Sequence, residues 1–255
     1  MHLGRMPISV KNIAKEIGAD KYIICGNGTL IYDLQKEEII YDAFLKKDKV
    51  LQIIKICDEN SIFYNLYTET SVITKSLNYN VLYYDNENSK KPEEKRTNID
   101  VVEDIYKHVE ENENINILKM TICDNDKIIF SGILRKLKEI SEIDILEVEH
   151  MSRKSIQSGS VEIPIEYYYT EISKQNTDKW TAIEYLLEKL NIKKEEVMAI
   201  GDNANDKKMV ENAGIGVAMG KSMLEAEQIG DVFVKDNNQD GVAEAINKYI
   251  NNAQK

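Results

Sequence analysis

The sequence predicts an α/β protein: a Rossmann-like parallel-sheet core with an inserted α+β cap domain. Three observations carry this. The last third alternates short apolar strands with amphipathic helices, a rhythm that builds a parallel sheet covered on both faces. The middle third breaks that rhythm with paired segments rich in Tyr, Ile and Val. The first segment again alternates helix and strand. The expected boundaries are residues 1–43 and 160–255 for the core and 44–159 for the cap.

The elements follow in order. "SVKNIAKEIGA" places Val10, Ile13, Ala14 and Ile17 on one helical face, and Gly18 is a natural stop. "KYIICGNGTLIYD" reads as strand, Gly-Asn-Gly bend and strand. "KKDKVLQIIKICDEN" is an amphipathic helix, and "SIFYNLYTETSVITK" and "YNVLYY" have strand composition. The charged run around Pro92 is a solvated loop, "IDVVEDIYKHVEEN" a helix and "INILKMTICDN" a strand. "KIIFSGILRKLKEI" is a helix, "IDILEVEH" a strand and "SVEIPIEYYYTEIS" another, whose three tyrosines serve packing. "DKWTAIEYLLEKLNI" is a strong amphipathic helix, with Trp180, Ile183, Leu186, Leu187 and Leu190 at helical spacing. "EEVMAIGD" is a buried strand ending at a bend, and "NDKKMVENAG" a helix stopped by Gly214. "IGVAMG", "SMLEAEQIG", "DVFVKD" and "DGVAEAINKYI" complete the alternation.

Composition narrows the function. The 255 residues are 42% hydrophobic, enough for a sizeable core. A formal charge of −11 argues against general binding to nucleic acid or an anionic membrane. Cys25, Cys57 and Cys123 are odd in number and widely separated, as expected of a reduced, cytoplasmic chain. His2, His108 and His150 are scattered, without metal-ligand spacing. No apolar run is long enough to span a bilayer, and "MHLGRMPISV" lacks the apolar stretch of a signal peptide.

The chemistry concentrates in "GDNANDKKMVENAG". Asp202 falls where the strand "VMAI" ends, and ligands of open α/β sheets bind beyond the carboxyl ends of the strands. A carboxylate there suits a hard cation such as Mg²⁺, which takes one or two carboxylates, waters and a phosphate. Asp206 has three roles open to it: metal ligand, acceptor behind the ligands, or helix cap. Asn205 can donate two N–H groups to a phosphate oxygen. Lys179 precedes the strand by one helix, so the chain can return it to the same edge, where it would offset phosphate charge. Asp and Asn also favour plain turns and caps, which is the alternative for this stretch taken alone.

"GDNANDKKMVENAGIGVAMGKS" resembles the last motif of the haloacid dehalogenase superfamily, in its Cof-type branch of sugar-phosphate and other phosphomonoester phosphatases. Further stretches match in order. Gly4-Arg5 resembles the end of a Thr-Gly-Arg motif, and "ICGNGTLIYD" an Asn-Gly-Ala stretch with Asn27 and Gly28 at its first two positions. Lys179 falls at the motif lysine, and "DNNQDGVAEAI" resembles the C-terminal signature. The resemblance implies a HAD-like core with an α/β cap and an Mg²⁺-dependent phosphatase acting on a small phosphorylated metabolite through an aspartyl-phosphate. It implies Asp202 and Asp206 as the metal site, Lys179 and Asn205 as catalytic, and Arg5, Asn27, Gly28, Lys179 and Asn205 as phosphate-binding.

The sequence departs from that pattern in one place. The family's nucleophile lies in an Asp-x-Asp-Gly-Thr motif, which these residues do not contain, and Leu3 stands at the Thr of Thr-Gly-Arg. The expectation is an N-terminally incomplete chain that lacks turnover, the natural protein starting upstream of Met1. The alternative is a degenerate member that binds a phosphorylated ligand or a protein partner without chemistry. Self-association through uncovered strand edges is a third expectation.

Overall fold

The computed structural model describes residues 7–19, 21–146, 151–158 and 160–251. Val10 and Ala14, both fully buried, set the inner face of helix α1 (Pro7–Glu16). Gly18, at φ +71°, turns the chain out of it. Strands β1 (Tyr22–Cys25), β2 (Leu30–Asp33) and β3 (Glu38–Asp42) form an antiparallel meander. The first bend is a tight turn over Gly26–Gly28, where Asn27 takes a left-handed conformation at φ 60°, ψ 31°.

Helix α2 (Lys47–Glu59) leads into β4 (Phe63–Tyr67), β5 (Ser71–Thr74) and α3 (Tyr79–Asn88). Then come β6 (Asn98–Val101), α4 (Ile105–Glu111), β7 (Lys119–Asp124) and α5 (Lys127–Leu137). Strands β8 (Ile143–Leu146), β9 (Ser152–Ser158) and β10 (Val161–Lys174) follow. These seven strands form one sheet in the order β6-β5-β4-β7-β10-β8, with β9 paired to β10 alone. Every pairing is antiparallel except β5 with β6.

The register gives the sheet two unlike faces. Leu66, Met120 and Ile172 stand in one row and pack under α2, α4 and α5 with Ile53, Ile54, Ile105, Val109 and Ile133. Each such side chain, fully buried, contributes about 1.5–3 kcal/mol relative to exposure. One residue along, on the opposite face, the row reads Asn65, Thr121, Glu171.

The rest of the chain is α6 (Lys179–Leu190), β11 (Met198–Gly201), α7 (Lys207–Asn212) and β12 (Ile215–Met219). It ends with α8 (Met223–Ala226), β13 (Val232–Val234) and α9 (Gly241–Ile246). Strands β11, β12 and β13 run parallel. Trp180, Met209, Val210 and Leu224 pack on one face of this sheet, and Ala245 of α9 packs on the other with Val217 and Val234. The expected alternation and two-sided cover are therefore present.

Two local expectations are corrected, and one strand was not foreseen. "YNVLYY" is helix, not strand: Asn80 and Val81 are buried and Asn80 bonds Asn65 and Tyr67, contacts that override the strand composition of the tyrosines. "IDVVEDIYKHVEEN" is not one helix. Its first residues add β6 to the edge of the sheet, and Asp104, accepting from the Lys107 amide, caps a shorter helix. Ser152–Ser158 forms a strand the pattern did not announce, because its polar residues pair antiparallel with the first half of β10. Of "IDILEVEH", only the first four residues are described.

The division of the chain also differs from the expected boundary near residue 160. The two compact units are Met1–Thr177 and Asp178–Lys255. The break comes later because β10 is hydrogen-bonded between β7 and β8, which binds residues 161–174 to the antiparallel sheet. Residues 1–43 group with the same unit rather than with residues 178–255.

Candidate functional site

The candidate site is the loop that leaves β11. Gly201 is its first requirement. A Cβ there would lie 2.4 Å from Asp206 Cβ and 3.0 Å from Val210 Cγ2, so a side chain would displace Asp206. The loop then closes on itself. The Asn203 side-chain oxygen accepts from the Ala204 amide at 2.8 Å and starts the short turn Ala204–Asp206. Asp206 Oδ2 reaches back to accept the amides of Asp202 and Asn203, both at 3.1 Å.

The other oxygen of Asp206 takes the long-range contact. Lys179 Nζ donates to Asp206 Oδ1 at 2.5 Å, and both residues are buried, at 7% and 4% exposure. Lys179 is the first residue of α6, and a capping box fixes it there. Asp178 accepts from the Thr181 amide at 2.9 Å, and Thr181 Oγ1 accepts from the Asp178 amide at 3.0 Å. Lys208 of α7 also donates to Asp178, at 2.6 Å. The start of α6 is thereby tied to the helix that follows the loop.

This resolves where each expected residue lies. The structure brings Lys179 and Asp206 into contact, beside Asp202, with half-buried Asn205 one residue from Asp206. Both oxygens of Asp206 are engaged, one by Lys179 and the other by two loop amides. Asp202 is the carboxylate on the open side of the loop. Its carboxyl is raised above the ordinary Asp value, first by burial of its inner side and then by the charge of Asp206, with Lys179 acting in the opposite sense. Asn27 and Gly28 belong to the unit ending at Thr177. Asn27 donates Nδ2 to Glu171 Oε2 at 2.6 Å, and Gly28 turns the chain at φ 103°. Arg5, with Leu3 and Gly4, lies outside the described residues.

Asp178, Asn203 and Lys208 were not singled out from the sequence. The Asp178-to-Thr181 spacing before an apolar helix was the available signal for the first. Nothing in the order of residues marks a lysine on α7 as its partner.

The donor set can be set against the needs of Mg²⁺. Among the described residues no group of three or more His, Cys, Asp or Glu is arranged to hold a metal. Mg²⁺ does not need one, since it keeps several waters and binds through one or two carboxylates plus phosphate. Asp202, Asp206 and Lys179 together carry two carboxylates against one ammonium, an excess negative charge that a divalent cation would offset. The residues present fit the ion as a partial site, in which the exposed carboxylate of Asp202 would be the one to hold it.

The family model of haloacid dehalogenase-like hydrolases matches residues 4–246. The phosphatase YwpJ of Bacillus subtilis is 26% identical over 251 residues, covering 97% of this chain and 86% of its own. The pyridoxal phosphate phosphatase YbhA of Escherichia coli is 22% identical over 248 residues, covering 97% and 84%. A solved haloacid dehalogenase-like hydrolase from B. subtilis superposes with a TM-score of 0.76 at 22% identity, over 98% of this chain and 86% of that one. The family match across almost the whole sequence shows that the chain belongs to the haloacid dehalogenase-like hydrolase family, and the solved structure shares its fold.

Proposed function

We propose that the loop around Asp202 is the metal- and phosphate-holding wall of an Mg²⁺-dependent phosphomonoester hydrolase acting on a small phosphorylated metabolite. The observation that carries this reading is the Lys179–Asp206 pair, clamped beside Asp202 at the carboxyl end of a parallel strand. Asp202 holds the cation. Asp206 positions Lys179 and the loop amides rather than binding metal itself. Lys179 and Asn205 direct N–H groups at the phosphoryl oxygens. When bound, the ion polarises the phosphoryl group and neutralises developing charge. The metabolite is of the sugar-phosphate type or, by analogy with the pyridoxal phosphate phosphatase among the relatives, a ring-bearing phosphate. The compartment is the reducing cytoplasm, consistent with three free, buried cysteines.

These 255 residues hold no Asp-x-Asp-Gly-Thr, so on this reading they bind without turning over. The same absence, with Leu3 in place of Thr, favours a second reading in which the protein is a phospholigand binder. Hydrolysis of p-nitrophenyl phosphate with Mg²⁺, paired with Mn²⁺ binding by electron paramagnetic resonance, tests the proposal. The expected result is Mn²⁺ binding that Asp202→Ala abolishes, and no hydrolysis. Hydrolysis that Asp202→Ala removes would overturn the missing-nucleophile argument. Mn²⁺ binding that survives Asp202→Ala would overturn the metal assignment.

A further inference from the structure

The face of the seven-stranded sheet opposite α2, α4 and α5 carries an ionic group that the proposed function does not use. Lys119 on β7 and Glu171 on β10 pair at 2.5 Å, with side-chain exposures of 7% and 20%. Glu171 spends its oxygens on two partners: Oε1 accepts from Lys119 Nζ, and Oε2 accepts from Asn27 Nδ2 at 2.6 Å. The Lys119 ammonium also stands 4.8 Å from the centre of the Tyr67 ring. Asn27 is 144 residues from Glu171 in the chain.

The bend that carries Asn27 is closed by one long backbone bond, from the Thr29 amide to the Gly26 carbonyl at 3.4 Å. Gly26, Asn27 and Gly28 take φ values of 58°, 60° and 103°, three consecutive left-handed residues flanked by short strands. Glycine on both sides leaves many competing backbone states. Two side-chain tethers select one. Thr29 Oγ1 lies 2.8 Å from the Gly26 carbonyl and 3.1 Å from the Leu118 carbonyl, and a hydroxyl has one proton to share between them. The Asn27–Glu171 bond is the other tether, and it ends on a carboxylate held in place by Lys119, the residue after Leu118. A carboxylate acceptor makes this the stronger tie.

We propose that Asn27, Glu171 and Lys119 form a part-buried latch that fixes the Gly26–Gly28 bend on the seven-stranded sheet. Asn27 is then a positioning residue within its own unit, and Glu171 and Lys119, which no family motif singled out here, set its orientation. On this proposal the ion pair contributes little net stability; its role is to hold one arrangement of a bend that its glycines leave free. The inference stands whether or not the chain binds phosphate.

Hydrogen–deuterium exchange of peptides spanning residues 22–33 tests it on the full chain. Asn27→Asp keeps a residue that tolerates the left-handed region but sets a carboxylate against Glu171. Lys119→Met with Glu171→Leu removes both charges together, so neither is stranded, and leaves the bend sequence intact. Both variants should exchange the amides of Asn27 to Leu30 at least about tenfold faster, with β11 and β12 amides unchanged. Unchanged exchange at the bend in either variant overturns the proposal, as does an equal acceleration across the whole chain.

Discussion

Replacing Lys179 with Met strands the Asp206 carboxylate in the candidate site. At 2.5 Å and an effective dielectric constant of about 20, the gross attraction of the pair is on the order of 6–7 kcal/mol. Desolvating both ions offsets most of that, so the intact pair adds little. Removing one partner leaves an uncompensated buried charge and costs about 3–5 kcal/mol. Two loop amides still donate to Asp206, which places Lys179→Met near the lower end, about 3 kcal/mol. The chain's single tryptophan, Trp180, sits next to Lys179 and is 7% exposed, so its fluorescence reports this unit. In urea, with a slope of about 1–3 kcal/mol/M, the midpoint should fall by about 1 M or more. Lys179→Met combined with Asp206→Leu should recover much of the loss, since no charge is then stranded. A midpoint shift below about 0.3 M for the single variant, or full additivity in the double, would refute the reasoning.

Three further outcomes follow from the site and the core. Gly201→Ala should abolish Mn²⁺ binding and lower stability by about 1–3 kcal/mol, because the new Cβ meets Asp206 at 2.4 Å; calorimetric binding equal to the parent would refute this. Asp202→Asn should raise the melting temperature at pH 7 while removing Mn²⁺ binding. A carboxyl raised in the fold contributes stability present below its unfolded value and lost as pH rises through the folded one, so at pH 7 the charged form is a net cost. A melting temperature that drops, or one whose gain persists below the ordinary Asp range, counts against it. Burial pushes the Cys25 thiol up to about 12 and raises Cys57 and Cys123 further, so no thiol should react with Ellman's reagent in minutes at pH 8, and three should react in guanidinium. The stability from burying Cys25 protonated is present below its ordinary value near 8.5 and fades as pH climbs toward about 12.

Local order along the chain carried the second unit. From Lys179 to Met219 each element is contiguous, its apolar spacing is unambiguous, and Gly201 with Asp202 marks the strand end. The Asp202, Asn205 and Asp206 cluster was readable because those residues fall within one turn. The different surroundings of the two carboxylates were not. They depend on Lys179, 27 residues away in sequence, taking one oxygen of Asp206, and on two loop amides taking the other. The first unit was less readable still. Tyr79–Asn88 has strand composition but is helical because Asn80 meets polar partners on β4, and β6 exists because β5 offers it an edge. The polar face of the sheet follows from register: Asn65, Thr121 and Glu171 come from three separate strands, and only their pairing sets them side by side. The sequence by itself determined the alternating apolar pattern, the acidic loop and the family. Tertiary structure alone decided where the chain divides and which charges meet, because those depend on strands pairing across many residues, and no local preference encodes the partner.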